Sequence, residues 1–298
     1  MHNCHDAQGS HAKTSVRPLE SLTSKAKGPQ GCLVPKSPDP QFQAFLDAAH
    51  ALADQSGAVI LPHFRTAFAI DHKGGDLFDP VTAADRTAEV AIREMLASAY
   101  PSHGIIGEEF GSTRSEAEYC WVIDPIDGTR SFILGLPLWG TLIGLTRSGI
   151  PLLGLMNQPF TGERFFTDET DAFFRHNGVT RTLQARACHT LGEALLTTTT
   201  PEYFTGEDTQ RFETLSQNVR LTRYGGDCYN YCMLALGQID LVVEAGLNPY
   251  DIIPLIPIVE RAGGVVSTWN GGDARGGGRI IAAGDPRLHE AAVKLLSG

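Results

Sequence analysis

The chain has 298 residues, 42% hydrophobic and 19% charged, which is enough to bury a large core in one domain or two packed lobes. Its formal net charge of −10 argues against a generic nucleic-acid binder, because affinity for phosphate backbones comes from clustered Lys and Arg. No apolar run is long enough to cross a bilayer, and the six cysteines are too scattered for a disulfide framework. Free thiols in a reducing compartment, by default the cytoplasm, are therefore expected.

The N-terminal segment over residues 1–38 is rich in Ser, Pro, Gly and Lys and has little periodic apolar pattern. We predict a disordered extension that does not join the folded core. Its basic, acid-poor composition also fits an organellar transit peptide, which would change the expected location from cytoplasm to organelle.

A first folded lobe is predicted over residues 39–182, and it opens with two amphipathic helices. The first has apolar residues at helical spacing from Phe42 to Ile60. The second follows Thr82, which forms an N-terminal capping signature with Asp85 three residues later.

Short β-type runs follow these helices and predict an antiparallel sheet, with Arg147-Ser148-Gly149 as a hairpin connection. These strands are expected at residues 119–123, 141–146, 150–156 and 164–167.

The C-terminal lobe is predicted over residues 183–298, where helical and β-type patterns alternate. Its expected helices span residues 227–236, 251–262 and 286–296, and its expected strands span residues 240–244, 265–269 and 280–283. The predicted fold class is therefore α/β, or α+β, with an antiparallel sheet in the first lobe.

Two carboxylates three residues apart, Asp124 and Asp127, directly follow the strand expected at 119–123. Pro125 stiffens this segment, and Gly128 lets the backbone approach a phosphate closely. Carboxylates at the end of a strand supply the hard oxygen ligands that Mg²⁺ requires. Taken alone, the segment is also compatible with an ordinary Asp-Gly turn.

Three further acids favour a metal site over an ordinary turn. Glu108 follows the apolar pair Ile105-Ile106, so another carboxylate emerges from a strand end. Asp251 opens a predicted helix, where the helix dipole favours an anion, and Asp85 lies in the first turn of another. Each alone would be interpreted as a helix cap or a solvated charge, but together they indicate a metal site.

Four motifs carry these acids, and their order and spacing resemble those of the inositol monophosphatase family of Mg²⁺-dependent, lithium-sensitive phosphatases over about residues 40–298. The motifs are Asp79-Pro80-Val81-Thr82-Ala83-Ala84-Asp85, Gly107-Glu108-Glu109, residues 121–129, and Pro249-Tyr250-Asp251 through Ala262-Gly263-Gly264. The resemblance implies the layered α/β/α/β/α sandwich of the inositol monophosphatase and fructose-1,6-bisphosphatase type. It also implies a homodimer and a small phosphate ester as substrate.

The same resemblance implies roles for individual residues. Glu108 and Thr129 would orient the attacking water, with Asp127 as a further catalytic residue. The implied metal ligands are Glu108, Asp124, the Ile126 carbonyl, Asp127 and Asp251, with Asp85 at a weaker position. Two or three Mg²⁺ ions are expected, with Mn²⁺ as a substitute and Li⁺ and Ca²⁺ as inhibitors; such ions neutralise phosphate and acidify water.

Within the family, three segments resemble the histidinol-phosphate phosphatase branch: residues 130–133, 137–142 and 223–229. We therefore expect L-histidinol phosphate, an intermediate of histidine biosynthesis, as the substrate. The implied substrate contacts are Gly128, Thr129, Arg130, Gly225, Gly226, Asp227, Glu244 and Asp251. Acids such as Asp227 and Glu244 suit a cationic amino alcohol, because a hydrogen bond to an ammonium group is charge-assisted.

Several alternatives stay open at the level of the sequence. Inositol monophosphate, fructose 1,6-bisphosphate or a nucleotide 3′-phosphate could replace histidinol phosphate, and a non-catalytic metal-binding regulatory protein is a second class. Asp227 could cap the following helix, and Arg130 could pair with a neighbouring acid. Pro254 and Pro257 are expected to disturb the helix that begins at Asp251.

Overall fold

The computed structural model describes residues 41–66, 71–72 and 80–297, which form two large β-sheets, with helices between and outside them, and a separate two-stranded sheet. The extension predicted over residues 1–38 lies outside these ranges. None of the described helices is long and apolar enough to span a membrane.

The first half of the chain forms a large sheet and its covering helices. The helices are α1 (Phe42–Ile60), α2 (Ala83–Ala99) and α3 (Thr129–Ile133). The strands are β1 (Asp71–His72), β2 (Pro80–Val81), β3 (Gly104–Gly107), β4 (Gly111–Thr113), β5 (Tyr119–Asp127), β6 (Gly140–Arg147), β7 (Ile150–Gln158), β8 (Glu163–Thr167), β9 (Ala172–His176) and β10 (Val179–Thr182). All but β1 and β2 join one sheet in the order β10-β9-β8-β7-β6-β5-β3-β4, antiparallel except for the β3–β5 pair.

The second half forms a smaller sheet of five strands. Its strands are β11 (Leu195–Thr198), β12 (Leu221–Tyr224), β13 (Leu241–Leu247), β14 (Val265–Thr268) and β15 (Gly278–Ala283), in the order β12-β11-β13-β15-β14. Its helices are α4 (Glu207–Gln217), α5 (Cys228–Ala235), α6 (Pro249–Ile252), α7 (Leu255–Arg261) and α8 (Pro286–Leu296).

Hydrophobic side chains sort these elements into layers. On β13, Val242 packs towards α5 and α7 with residues of the large sheet, whereas Val243 packs on the other side with α4 and α8. This alternation is the period of two that a strand buried on both faces requires. Helices α1 and α2 cover the outer face of the large sheet, where Phe45 meets Trp121. The result is the α/β/α/β/α sandwich expected from the sequence.

One predicted helix is divided in two in the structure. The helix expected over residues 251–262 is two helices, α6 and α7, and the break falls at Pro254, which occupies the N-cap of α7. Pro257 is the third residue of α7, within the first turn, where a backbone N–H has no intrahelical acceptor to lose. Pro254 therefore ends one helix while Pro257 is accommodated in the next.

The chain passes from one sheet to the other between Thr182, the end of β10, and Leu195, the start of β11. The division into lobes at residues 182 and 183 stays a prediction. Strands such as β10, whose four residues are all exposed, were missed because they lack an apolar alternation.

Candidate active site

Asp124 and Asp127 lie in the last part of β5, a strand that was expected to end at residue 123 and continues four residues further, to Asp127. Residues three apart on a regular strand face opposite sides. Between these two residues, however, β5 advances three positions while its partner β6 advances two, from Leu142 to Gly140. This bulge turns both carboxylates into the same cleft, and the Thr141 hydroxyl supports it by donating to the carbonyl of Pro125 at 2.8 Å.

Asp251 reaches the same place from the smaller sheet. It is the third residue of α6, and its Oδ2 accepts a hydrogen bond from the backbone N–H of Asn248 at 2.7 Å. One carboxylate oxygen from each of Asp124, Asp127 and Asp251 lies within 4.8 Å of the others. Three carboxylates this close together form a potential cation site built from both halves of the fold.

Glu108 follows β3, and its backbone N–H donates to the carbonyl of Ile123 on β5 at 3.2 Å. It lines the cleft, and its charge is the largest cause, after burial, of the raised pKa of Asp124. The structure therefore brings Glu108 to the three aspartates.

A buried acid on α2, Glu89, fixes the turn that carries Glu108. Its Oε2 accepts from the backbone N–H of Glu109 at 2.8 Å, and its Oε1 accepts from Phe110 N–H at 3.2 Å and Arg93 Nε at 2.7 Å. A Cβ on Gly107 would lie 2.1 Å from Glu89 Oε1, so a larger residue there would displace the Glu89 carboxylate. Sequence patterns missed Glu89, because only the fold brings α2 to this turn.

Asp85 is 1% exposed and caps α2, accepting hydrogen bonds at Oδ2 from the N–H of Thr82 at 2.8 Å and from its hydroxyl at 2.5 Å. Its other oxygen, Oδ1, has no hydrogen-bond partner among the described residues. Burial raises the pKa of Asp85 to about 6, with a further contribution from the Glu108 charge. An orphaned carboxylate oxygen beside other acids fits a cation ligand.

Burial raises the pKa of both Asp124 and Asp127 well above its usual range, and neighbouring carboxylates add to the shift. For Asp127 the acids responsible are Asp227 and Asp251. Several buried carboxylates repel one another unless a cation compensates them. Together with the hard oxygen donors and the orphaned Oδ1 of Asp85, this arrangement fits bound Mg²⁺.

The turn between β5 and α3 sets the position of Thr129. Gly128 has φ 88°, and a Cβ there would lie 2.9 Å from the Leu138 carbonyl and 3.1 Å from Asp227 Cβ, so only glycine fits. The Thr129 hydroxyl donates to the carbonyl of Ile126 at 3.1 Å. The hydroxyl therefore lies next to the carbonyl that the family resemblance implies as a metal ligand.

Asp227 occupies the N-cap position of α5, but its side chain makes no capping hydrogen bond. Its Oδ2 instead accepts from the Ser131 hydroxyl at 2.8 Å, and burial raises its pKa to about 6. The start of α5 is capped by Asp127, whose Oδ2 accepts from Cys228 N–H at 2.7 Å. The capping role considered for Asp227 thus belongs to Asp127.

Glu244, 2% exposed on β13, is held by two threonines. Its Oε1 accepts from the N–H and the hydroxyl of Thr199 at 2.7 and 2.9 Å, and its Oε2 accepts from the Thr198 hydroxyl at 3.2 Å. Burial raises the pKa of Glu244 to about 8, against the lowering effect of these donors. Glu244 and Asp227 are two further acids of the same cleft.

The cleft has a volume of about 300 Å³, at the lower end of the range for small-molecule sites. Arg130 lines it, with its guanidinium 5.2 Å from the centre of the Tyr203 ring, and its charge lowers the pKa of Asp227. Polar side chains of the cleft that were not predicted as site residues include Thr199, Tyr203, Tyr231, Asn248 and Tyr250. Of these, only Tyr250 lies in one of the four motifs, next to Asp251.

Gly225 and Gly226, predicted as substrate contacts, are not among the residues that line the cleft. Both have positive φ, and a Cβ on Gly226 would lie 2.2 Å from Asn230 Oδ1. Their observable role is to turn the chain into α5.

Comparisons with known proteins agree with this geometry. The sequence profile of the inositol monophosphatase family matches residues 41–298. The chain is 40% identical to the chloroplastic bifunctional phosphatase IMPL2 of Arabidopsis thaliana, over 87% of this chain and 76% of that protein. It is 35% identical to a histidinol-phosphatase of Chlorobaculum parvum, over 76% of this chain and 86% of that one. An inositol monophosphatase structure from Zymomonas mobilis aligns with a TM-score of 0.78 and 42% identity, over 87% of this chain and all of the other.

Proposed function

Since the chain belongs to the inositol monophosphatase family of phosphatases, we propose that it hydrolyses L-histidinol phosphate to L-histidinol and inorganic phosphate with Mg²⁺ as cofactor. The observation that carries the substrate assignment is the pair of acids formed by half-buried Asp227 and buried Glu244, beside the acidic cluster in one cleft. The likeness to a histidinol-phosphatase and to a bifunctional phosphatase supports it.

In this proposal the carboxylates of Asp124, Asp127, Asp251 and Glu108 hold the cations, together with the carbonyl of Ile126 and the orphaned oxygen of Asp85. Mg²⁺ bound there supplies positive charge to the phosphoryl oxygens and acidifies water. The Glu108 carboxylate accepts a proton from the attacking water, and the Thr129 hydroxyl fixes the orientation of that water. Asp127 adds to this by holding the N-terminus of α5 against the cluster.

The remainder of the substrate lies towards Asp227 and Glu244. Histidinol phosphate carries an ammonium group, and hydrogen bonds between ionised groups are stronger than neutral ones. A cation beside Glu244 also offsets the burial that raises its pKa to about 8, so substrate binding favours its ionised form. An uncharged polyol would gain less from these acids.

Inositol monophosphate is the second candidate, and the 42% identity to the Zymomonas mobilis inositol monophosphatase favours it. Polyol hydroxyls also donate to carboxylates. A non-catalytic metal-binding protein agrees less well with the structure, because Glu108, Asp124, Asp127, Thr129 and Asp251 are all present and all line one cleft.

A substrate panel tests the assignment. In the presence of Mg²⁺, kcat/KM for L-histidinol phosphate should exceed that for inositol 1-phosphate, fructose 1,6-bisphosphate and a nucleotide 3′-phosphate by at least about tenfold, the equivalent of one charge-assisted hydrogen bond. The variant Asp227→Asn should lower this preference while retaining turnover of inositol 1-phosphate. A wild-type preference for inositol 1-phosphate would overturn the substrate assignment.

We also propose that the protein acts as a homodimer, as the family resemblance implies. Light scattering on the purified chain should give twice the mass of one chain, which is 32.1 kDa. A monomeric mass at working concentration would contradict this part of the proposal.

A further inference from the structure

One tyrosine of the cleft has no role in the account given so far. Tyr231 lies on α5, one turn after Asp227, so both residues face the same side of the helix. It is 2% exposed and lines the cleft together with Asp227 and Glu244. Its hydroxyl has no hydrogen-bond partner in the part of the chain that the structure describes.

A buried hydroxyl without a partner is rare in native proteins and calls for a specific explanation. The neighbouring Tyr229 shows the usual situation, since its hydroxyl donates to Glu163 Oε2 at 2.9 Å. Tyr229 does not line the cleft. On the same helix, the hydroxyl of the tyrosine outside the cleft therefore has a protein partner. The hydroxyl of the cleft tyrosine is available to hydrogen-bond a ligand.

The charges around Tyr231 indicate what kind of ligand group it would take. The carboxylates of Glu244, Asp127 and Asp251 all lie close enough to the phenol to raise its pKa, in addition to the larger effect of burial. Both Glu244 oxygens already accept hydrogen bonds from Thr198 and Thr199. The proposed function places cations on Asp127 and Asp251, so Glu244 supplies the negative charge that favours a cationic N–H donor next to the phenol oxygen and disfavours an anion.

We propose that the Tyr231 hydroxyl is a specificity-determining group that accepts a hydrogen bond from the ammonium group of a cationic phosphate ester. The Glu244 carboxylate balances the charge of that ammonium group. This inference rests on the proposed function and deepens it. It selects phosphate monoesters that carry a protonated amine over uncharged polyol phosphates.

The variant Tyr231→Phe removes only the oxygen and keeps the ring in the core. Its effect is measured with L-histidinol phosphate and with 3-(imidazol-4-yl)propyl phosphate, the same ester without the amino group. We expect the ratio of the two kcat/KM values to fall by about 10- to 100-fold, because hydrogen bonds to charged groups have this strength. An unchanged ratio, including an equal loss for both esters, would overturn the inference.

Tyr229→Phe is the matched control on the same helix. It removes a hydroxyl bonded to Glu163, so it should lower the melting temperature and leave the substrate ratio unchanged. Tyr231→Phe should not lower the melting temperature, because it removes an unsatisfied buried group. A loss of selectivity in Tyr229→Phe equal to that in Tyr231→Phe would assign the effect to helix packing and contradict the inference.

A second readout separates this inference from the substrate assignment. Inhibition of p-nitrophenyl phosphate hydrolysis by L-histidinol and by its deamino analogue reports ammonium recognition whichever phosphate ester is the best substrate. The inhibition constant for L-histidinol should rise by about 10-fold or more in Tyr231→Phe, with no change for the analogue. A wild-type enzyme that prefers inositol 1-phosphate yet shows this shift would overturn only the substrate assignment. Equal inhibition by both alcohols in the wild type would overturn the inference.

Discussion

Single carboxylates in this cleft serve both the fold and the chemistry. Asp127 caps α5 through Cys228 N–H while its carboxylate group belongs to the acidic cluster, and Asp251 caps α6 while it completes that cluster. Because each acid is held by backbone donors, its position is set before any ligand binds. In the proposed function, bound cations relieve the repulsion between these carboxylates.

The first prediction concerns the variant Asp124→Asn. Activity should fall by roughly a thousandfold, because a metal ligand contributes several kcal/mol to the transition state and each ~1.4 kcal/mol is a factor of ten. The chelated variant should melt at a higher temperature than chelated wild type, since asparagine relieves burial of a charge. The Asn side chain can still accept from Ile126 N–H, which now bonds Asp124 Oδ1 at 3.0 Å. Full activity, or a lower melting temperature, would contradict the assignment.

The second prediction concerns the pH dependence of stability through Glu244. Burial raises its pKa in the folded state to about 8 from the usual 4.5, so between these values the folded state binds more protons than the unfolded state. Stability of the chelated protein should therefore fall as pH rises through this window, by an amount on the order of a few kcal/mol for this group.

The measurement is urea unfolding of chelated protein from pH 5 to 9, with Glu244→Gln beside wild type. The variant should lose clearly less stability across the window, because glutamine does not titrate. Glu290→Gln is a suitable control, since Glu290 is an exposed-surface acid paired with Lys294. Parallel curves for wild type and Glu244→Gln would rule out the effect.

At the scale of elements, the site depends on short connections that longer elements hold in place. The turn after β3 carries Glu108 and is fixed by Glu89 of α2, which accepts hydrogen bonds from two consecutive backbone N–H groups, those of Glu109 and Phe110. Burial of this acid is compensated by Arg93, whose Nε lies 2.7 Å away. Helix α2 thus positions two acids, Asp85 at its start and Glu108 through Glu89.

Replacing Glu89 by Gln should loosen this turn, because glutamine offers one acceptor oxygen instead of two and leaves Arg93 without its charge partner. We expect the Mg²⁺ concentration for half-maximal activity to rise by about 10- to 100-fold, the usual effect of changing a group that supports a metal ligand. Calorimetric titration with Mg²⁺ gives the same quantity without turnover.

The matched control is Glu94→Gln, an exposed acid on the same helix. It should leave the affinity for Mg²⁺ unchanged. If Glu89→Gln bound Mg²⁺ as tightly as wild type, the turn would not depend on Glu89.

The helices and strands differ in how well the sequence could predict them. The bounds of α8 were predicted as observed, because Asp285 accepts from Arg287 N–H at 2.9 Å and Pro286 occupies the first turn. Helix α2 was likewise marked by its Thr82–Asp85 capping box. Strand β12, with three of its four residues exposed, carries no such signal and was missed.

The residues of the site also differ in whether a local sequence pattern marks them. Its acids sit in motifs of several residues, so their order along the chain could be matched to a family. The roles of Glu89 and Tyr231 depend on contacts between elements far apart in sequence, and no local pattern contains that information. The bulge at Asp124 to Asp127 was also out of reach, because it is defined by the pairing of β5 with β6.

At the scale of the whole molecule, the cleft exists only where the two sheets meet. Glu108, Asp124 and Asp127 come from the large sheet, whereas Glu244 lies on a strand of the small sheet and Asp251 follows that strand. The chain has a net charge of −10, whereas the phosphate group of the proposed substrate is also negative. In the proposed function, bound cations reverse the local field so that a phosphate ester can bind.

The most direct test of this account is phosphate release from L-histidinol phosphate by the purified chain, first in excess chelator and then with Mg²⁺ restored. The account predicts no turnover with chelator and full turnover once Mg²⁺ is in excess. Turnover that persists undiminished in chelator, or that Mg²⁺ does not restore, would contradict the metal-dependent phosphatase.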